Sequence, residues 1–247
     1  FYKVGHEITD WHTRVMHSAD HGHTWTAPVE LVKGDVGGRG PVKNKPIMLS
    51  GGAILAPASI EAAVNWNGFT ELWDAFVDVS YDNGLTWSKS IIPLDHEALA
   101  SHHDKALKAT GVIQPTLWES AAGHVHMLMR STGGRMYRSD SADGGATWCE
   151  AYPTELPNNN SGIDLVKLDN GLLALAFNPV SSTWGKRTPL VIRLSADNGA
   201  NWDNEFVLED EPGGYAYPAL VAKGGDLYVT YTWKRERIAF RKIHIDQ

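Results

Sequence analysis

Apolar and polar residues alternate along this chain in short segments that are separated by glycine-containing turns. Alternation with a period of two predicts β-strands that are buried on one face. The segments recur in the order strand, glycine turn, strand, strand, tight turn and strand, which predicts four-stranded antiparallel meanders. The predicted strands cover residues 1–4, 12–17, 46–55 (interrupted by a glycine turn), 72–80, 112–117, 124–130, 135–139, 164–168, 189–194, 217–221, 227–232 and 238–243.

The tight turn is an eight-residue segment, here called a box, that occurs four times. The copies are SADHGHTW at residues 18–25, SYDNGLTW at 80–87, SADGGATW at 141–148 and SADNGANW at 195–202, so their starts lie 62, 61 and 54 residues apart. Aspartate followed two residues later by glycine is typical of a β-hairpin turn, and the closing tryptophan can pin the turn to its sheet. We expect the boxes to be structural elements without a catalytic role.

Repeated four-stranded sheets predict an all-β fold, a β-propeller in which each sheet is a blade. The chain holds three complete units and two partial ones, and nothing in the sequence divides it, so residues 1–247 are predicted to form one domain. A propeller closes on itself to avoid exposed strand edges. Either the two partial units share a blade, or one to one and a half blades are absent at the N-terminus.

Composition and charge argue against several classes of protein. A formal net charge of −7 disfavours a nucleic-acid-binding surface. Cys149 is the single cysteine, which excludes an internal disulfide, and it is expected to be buried. No apolar run approaches the ~18 residues of a membrane span. The chain begins at Phe1 without a signal peptide, so the compartment is open, with a secreted or periplasmic location expected if an N-terminal segment was removed.

The boxes follow the pattern Ser-x-Asp-x-Gly-x-Thr-Trp and resemble the Asp-boxes of the sialidase (neuraminidase) superfamily. In addition, GPVKNKPI at residues 40–47, NNNSGID at 158–164 and YAYPAL at 215–220 are similar to segments of bacterial and plant BNR-repeat sialidase-like proteins. The resemblance covers nearly the whole chain. It implies a six-bladed propeller, of which this chain lacks the N-terminal one to one and a half blades.

The resemblance also implies a candidate site. In this superfamily three arginines hold the substrate carboxylate, a tyrosine paired with a glutamate is the nucleophile, and an aspartate is the acid/base. Arg130 and Arg187 stand where the second and third arginines are expected, and Tyr217 opens the Tyr-x-x-Leu segment of the nucleophile. Gln114 occupies the place of the glutamate. The first arginine and the aspartate are expected in the portion that the chain lacks.

The chemistry of these residue types suits the same roles. Arginine binds a carboxylate through two parallel charge-assisted bonds, although ion pairs between sheets would also explain Arg130 and Arg187. A phenol has an ordinary pKa of about 10, so Tyr217 needs a neighbouring cation or carboxylate to act as nucleophile or base. Gln114 cannot accept a proton as glutamate does.

Further polar residues are weaker candidates for substrate binding. Asn44 and Lys45 lie in a loop that enters an inner strand, where they could bind a hydroxyl or carboxylate group, and Asn178 is a similar candidate. Each could equally serve a turn or face solvent. Glu61 is an unassigned carboxylate near a strand end. Arg235 and Arg237, which follow Trp233, could border the pocket or form cation–π contacts with it.

A metal site is a further alternative. His102, His103 and Asp104 adjoin in a predicted loop, and His124 and His126 share one face of a strand. Adjacent histidines seldom converge on one ion, and the strand pair has no clear third ligand. We therefore expect neither a metal nor another cofactor.

Three functions remain open. A sialidase-like exo-glycoside hydrolase would hold a terminal acidic sugar of a glycan with Arg130 and Arg187 while Tyr217 attacks or stabilises the anomeric carbon. A uronate-directed polysaccharide lyase would use the same arginines as a clamp and a tyrosine or histidine as base. A non-catalytic propeller would bind the acidic glycan without turnover. The hydrolase is preferred because more positions match, while the sugar, the linkage and the oligomeric state stay open.

Overall fold

The alternating segments form antiparallel meanders in the order of the chain. The computed structural model describes residues 1–101 and 107–245. These residues form four sheets, in which the predicted all-β architecture is confirmed. Neither helix in the described ranges has the length and apolar character that a bilayer-crossing helix needs.

The first sheet has three strands in the order β1-β2-β3. They are β1 (Tyr2–Val4), β2 (His12–Val15) and β3 (Val29–Glu30), with a 3-10 helix (Ile8–Asp10) before β2. The first box connects β2 to β3. The partial unit predicted at the start of the chain is therefore present as a three-stranded sheet.

The second sheet has eight strands because two meanders join edge to edge. Its elements are β4 (Ile47–Met48), β5 (Ile54–Trp66), β6 (Phe69–Ser80), β7 (Ser88–Ile91), a short helix α1 (His96–Ser101), β8 (Ala109–Ala121), β9 (His124–Ser131), β10 (Arg135–Ser141) and β11 (Tyr152–Pro157). Neighbouring strands are antiparallel within each meander, but β6 and β8 pair in parallel. The alternation pattern did not predict this parallel pairing.

Gly111 allows the two meanders to join. A Cβ atom at Gly111 would lie 1.9 Å from the carbonyl oxygen of Trp73, and the φ angle of Gly111 is +140°. Only glycine combines this backbone conformation with so close an approach of two strands. The junction places Trp73 beside β8, next to the candidate site.

The last two sheets follow the predicted order. The third is β12-β13-β14-β15 and the fourth is β16-β17-β18. Their strands are β12 (Asp164–Lys167), β13 (Leu173–Phe177), β14 (Leu190–Ser195), β15 (Asp203–Glu209), β16 (Tyr215–Lys223), β17 (Asp226–Trp233) and β18 (Arg237–His244). The third sheet shows the full sequence of strand, glycine turn, strand, strand, box and strand.

The boxes are hairpin turns that their own side chains close, as predicted. In the first box, the backbone N–H of Thr24 donates to Asp20 Oδ1 (2.8 Å), and Trp25 Nε1 donates to the carbonyl of Gly22 (3.0 Å). His21 and Gly22 both have positive φ, which a type I′ turn requires. The same aspartate contacts recur in the other three boxes.

Both faces of the central strands are buried, which explains the long apolar runs. On β9, Val125, Met127 and Met129 belong to one apolar cluster, while Leu128 on the opposite face belongs to another. The cluster of Leu128 combines side chains from the second and third sheets, so these two sheets pack face to face. The prediction that Cys149 is buried is wrong: it is exposed, and the buried neighbour is Trp148, because adjacent residues point to opposite sides.

Asp164, the first residue of β12, joins β8, β16 and the segment before β4. It is 2 % exposed and accepts hydrogen bonds from Thr116 Oγ1 (2.9 Å), the N–H of Leu220 (2.8 Å) and Lys45 Nζ (2.9 Å). A buried carboxylate is tolerated when its oxygens are satisfied in this way. The strands that carry Gln114 and Tyr217 are thereby tied together near one end.

Candidate functional site

Two backbone bulges direct the side chains of Gln114 and Tyr217. Both residues precede a proline and have positive φ, +56° at Gln114 and +53° at Tyr217. Each lies where the register of its strand shifts, in β8 against β9 and in β16 against β17. Bulges re-aim side chains, and positive φ is rare for residues other than glycine. Such strain is typical of functional positions.

Arg130, near the end of β9, is a buried cation held by polar side chains. It is 4 % exposed, its Nε donates to Asn160 Oδ1 (2.9 Å) and its Nη1 donates to Gln114 Oε1 (3.2 Å). The guanidinium carbon lies 5.8 Å from the ring centre of Trp73. Burial lowers the pKa of Arg130 from its ordinary value, but an arginine stays charged at neutral pH.

Tyr217 lies between the two predicted arginines. The guanidinium carbon of Arg187 is 5.2 Å from the Tyr217 ring centre. Arg130 is also close enough for its positive charge to act on the phenol. Burial raises the pKa of Tyr217, but the two positive charges outweigh it and hold the pKa below its ordinary value. The predicted grouping of Arg130, Arg187, Tyr217 and Gln114 is therefore present in space.

A cavity of about 410 Å³ opens beside this group. Arg187 and Tyr217 line it together with Gly214, Ala216, Thr232, Lys234 and Arg235. A larger cavity of about 840 Å³ lies around Arg135 and Glu155 and shares no lining residue with it. We place the candidate site at the smaller cavity because the charged groups and the strained backbone converge there.

Glu61, on β5, is a carboxylate within electrostatic range of Arg130. It stands opposite Trp73 in the β5–β6 register, and Trp73 Nε1 donates to Glu71 Oε2 (3.0 Å). Burial and the Glu71 carboxylate raise the pKa of Glu61, and Arg130 opposes this in part. The carboxylate of Glu61 makes no hydrogen bond or ion pair within the described residues.

Three predicted substrate-binding residues support the backbone under the site. Asn44 Nδ2 donates to the carbonyl of Gln114 (2.9 Å), and Asn178 Nδ2 donates to the carbonyls of Pro189 (2.7 Å) and Tyr215 (3.1 Å). Lys45 is bound to Asp164, as described above. The side chains of all three residues are hydrogen-bonded to other groups of the protein. That they also bind a ligand directly remains a prediction.

The loop at residues 158–161 links the two arginines. Asn160 Oδ1 accepts the bond from Arg130, and Asn159 Nδ2 donates to the carbonyl of Lys186 (2.8 Å), the residue before Arg187. All four loop residues are buried. The sequence signal for this loop was the segment NNNSGID with its family resemblance, and the pairing of Asn160 with Arg130 was not predicted.

Arg39 is a buried arginine that the sequence reasoning did not consider. It is 5 % exposed, its Nε donates to Asp78 Oδ1 (2.9 Å), and it also contacts Asp35. Two protein carboxylates therefore occupy the planar fork with which an arginine would bind a ligand carboxylate. Arg39 connects the segment before β4 to β6.

The metal alternative gains no support from the described part of the chain, which holds no group of three possible ligands. His126 contacts Asp140 and Ser120 in a polar network and stacks on Trp118, with 5.2 Å between ring centres. The segment His102, His103 and Asp104 lies outside the described residues.

Comparisons with known proteins agree with the fold. The sequence model of the BNR repeat-like domain family matches residues 1–229. Among solved structures, a protein of unknown function from Dyadobacter fermentans matches with a TM-score of 0.70 and 17% identity, covering 94% of this chain and 64% of that one. No curated protein sequence gives a match.

Two sialidase structures are also similar. The K499G mutant of NanB sialidase from Streptococcus pneumoniae matches with a TM-score of 0.67 and 17% identity, over 94% of this chain and 35% of that one. The intramolecular trans-sialidase from Ruminococcus gnavus, in complex with oseltamivir carboxylate, has a TM-score of 0.63 and 16% identity, over 96% and 51%. The chain thus spans about a third to two thirds of the length of the structures that it matches.

Proposed function

The chain belongs to the BNR repeat-like family and is a sialidase-like protein, and we propose that it is a carbohydrate-active enzyme that acts on a terminal acidic sugar of a glycan. The observation that carries the proposal is the position of Arg187 against the ring of Tyr217, with the buried Arg130 and its partner Gln114 beside the same phenol. As part of the same proposal, the sheets are blades of a six-bladed propeller of sialidase type.

Arg187 at the cavity and Arg130 behind Tyr217 are two guanidinium groups that suit a sugar carboxylate. Each planar fork can donate two parallel N–H bonds to the carboxylate oxygens, and the buried setting of Arg130 strengthens the attraction. The Tyr217 phenol would then lie beside the carbon that bears the carboxylate. The ordered backbone beneath the three side chains keeps the clamp in place without a ligand.

The preferred reaction is hydrolysis of the glycosidic bond. Tyr217, as the tyrosinate that the two arginines favour, attacks the anomeric carbon while the glycosidic C–O bond breaks, and Glu61 gives a proton to the departing oxygen. Water then cleaves the tyrosyl bond, so the sugar leaves as the free acid and both side chains regain their starting states. The raised pKa of Glu61 keeps its proton available at higher pH than for an exposed glutamate.

One observation favours a second candidate, a uronate-directed lyase. Gln114 contacts Arg130, and no described residue places a carboxylate in hydrogen-bond contact with Tyr217. A tyrosinate stabilised by two arginines can act as a base that removes the proton next to a neutralised carboxylate. Elimination then breaks the glycosidic bond and leaves a carbon–carbon double bond in the uronate.

Incubation with two substrate classes separates the candidates. Sialyl oligosaccharides and oligouronates are offered to the protein, and free acid and the ultraviolet absorbance of an unsaturated uronate are followed together. Release of free acid without the new absorbance supports the hydrolase. The absorbance supports the lyase instead, and saturable binding without either product supports a glycan-binding protein. Absence of both binding and product would contradict the proposal.

A further inference from the structure

The cavity beside Tyr217 carries more positive charge than one carboxylate requires. Arg187, Lys234 and Arg235 all line it. None of the three forms an ion pair with a carboxylate within the described residues. Arg187 faces the Tyr217 ring, whereas Lys234 and Arg235 come from the turn between β17 and β18. That turn therefore contributes two cations beyond the Arg130–Arg187 clamp.

The backbone of this turn disfavours the residues that occupy it. Lys234 and Arg235 have φ angles of +53° and +59°, and the N–H of Glu236 donates to the carbonyl of Trp233 (3.0 Å). This is the geometry of a type I′ turn, in which Asn-Gly is strongly preferred. Two long cationic side chains at these positions strain the backbone, and strain that persists is typical of functional sites.

Local contacts hold the turn against the cavity. The N–H of Lys234 donates to the carbonyl of Gly214 (2.8 Å), and Lys234 Nζ lies 4.6 Å from the ring centre of Trp233. Arg237 covers the same ring at 4.0 Å, so the predicted cation–π packing is confirmed. Arg235 is exposed and makes no such contact with any residue that the structure describes, so its guanidinium is available to a ligand.

We propose that the turn at Lys234 and Arg235 forms a second anionic subsite, next to the clamp. It would bind a carboxylate or sulfate group on the sugar unit adjacent to the one that Arg130 and Arg187 hold. The inference rests on the proposed function, and it narrows the ligand to acidic glycans with at least two anionic groups. Glu236, in the same turn, is exposed and does not line the cavity.

Calorimetric titration with matched ligand pairs tests the subsite. Galacturonate is compared with its α-1,4 dimer, and the unsulfated chondroitin disaccharide with its 6-sulfated form, so that the two arms separate a second carboxylate from a sulfate. The wild type should bind at least one of the two dianions about tenfold more tightly than its monoanionic partner, as two favourable ion pairs would give. Equal binding within both pairs would overturn the subsite.

Variants locate the effect in the turn. The double variant Lys234→Gln/Arg235→Gln should reduce the tenfold preference to about twofold, since the second anion loses both partners. The pair Lys223→Gln/Lys33→Gln removes the same charge from exposed positions outside the cavity and should keep the preference. Similar losses in both double variants would mean that net charge alone is responsible, and the subsite would be wrong.

The turn variant Lys234→Asn/Arg235→Gly separates binding from folding. It supplies the residues that a type I′ turn prefers, so the Tm should rise while the preference for dianions falls. A rise in Tm with the preference intact would overturn the subsite. A different result would contradict the proposed function: unchanged binding of the monoanions in the double variant Arg130→Ala/Arg187→Ala.

Discussion

Gln114 accepts a hydrogen bond from Arg130 over 3.2 Å, and the resemblance to the sialidase pattern predicts a glutamate at this position. A neutral amide leaves the charge of Arg130 uncancelled. Tyr217 therefore faces two full positive charges, which is the reason that its pKa is lowered despite its partial burial. The glutamine at position 114, where a glutamate was expected, thus contributes to the lowered pKa of Tyr217.

Gln114→Glu should weaken the clamp. The new carboxylate would pair with Arg130 and compete with the ligand carboxylate, so we expect about tenfold weaker binding of an acidic sugar, equivalent to ~1.4 kcal/mol. The same change should raise the pKa of Tyr217 relative to the wild type. Calorimetry and spectrophotometric titration of tyrosine measure the two effects. A rise in turnover would instead show that Tyr217 requires a glutamate partner.

Tyr217→Phe should lower turnover far more than binding. The phenylalanine keeps the ring against Arg187 but removes the oxygen whose pKa the charges of Arg130 and Arg187 lower. Loss of a nucleophile or base should reduce kcat by about a hundredfold or more, whereas the two arginines remain to hold the carboxylate. Steady-state kinetics give kcat and KM separately. Unchanged kcat would exclude Tyr217 from the chemistry.

Glu61→Gln should remove the alkaline limb of the pH–rate profile of the hydrolase. A general acid works while protonated, so wild-type activity should fall as pH rises through the raised pKa of Glu61. The glutamine cannot donate a proton, and we expect about a hundredfold lower kcat. Glu71→Gln is the matched control on the same sheet, and it should retain an alkaline limb. If Glu61→Gln keeps that limb, another group supplies the proton.

The strands were predicted from the repeated alternation, and the grouping of Arg130, Arg187 and Tyr217 was predicted from the resemblance to the sialidase superfamily. Arg130 lies 11 residues before the third box and Arg187 lies 8 residues before the fourth, whereas the sheet that carries Tyr217 has no box. Gln114 and Tyr217 also share a following proline, which accompanies the bulge in each strand. These features are local in the sequence.

The surroundings of Arg130 could not be predicted in the same way. Alternation shows which face of a strand is buried, but it does not identify the neighbouring strand. The parallel contact of β6 with β8 brings Trp73 and Glu61 toward Arg130, and its signal is the single residue Gly111. Asn44 and Asn178 were predicted to bind a ligand because an asparagine amide can bond a substrate as well as a buried backbone carbonyl. In the structure both bond backbone carbonyls.

The four boxes should make the fold sensitive to acid. Hydrogen bonds from the threonine or asparagine in each box lower the pKa of Asp20, Asp82, Asp143 and Asp197 to about 2. These pKa values lie below those of the unfolded chain, so the stabilisation is complete above about pH 5 and is lost as pH falls toward 2.

Urea unfolding between pH 2 and pH 6 measures this dependence. The midpoint should fall steeply below about pH 4 in the wild type, and less steeply in Asp143→Asn. Asp203→Asn removes an exposed carboxylate outside the boxes and should keep the wild-type slope. Identical slopes in all three proteins would show that the box aspartates do not control acid stability.

The double variant Arg130→Ala/Arg187→Ala tests the carboxylate clamp most directly. Binding of an acidic sugar that the wild type recognises is measured by calorimetry, and circular dichroism confirms that the variant is folded. Each lost charge-assisted contact costs roughly 1.5–3 kcal/mol, so the account predicts about a thousandfold loss of affinity. Arg135→Ala, at the separate cavity, should bind as the wild type does. Unchanged binding in the folded double variant would contradict the clamp.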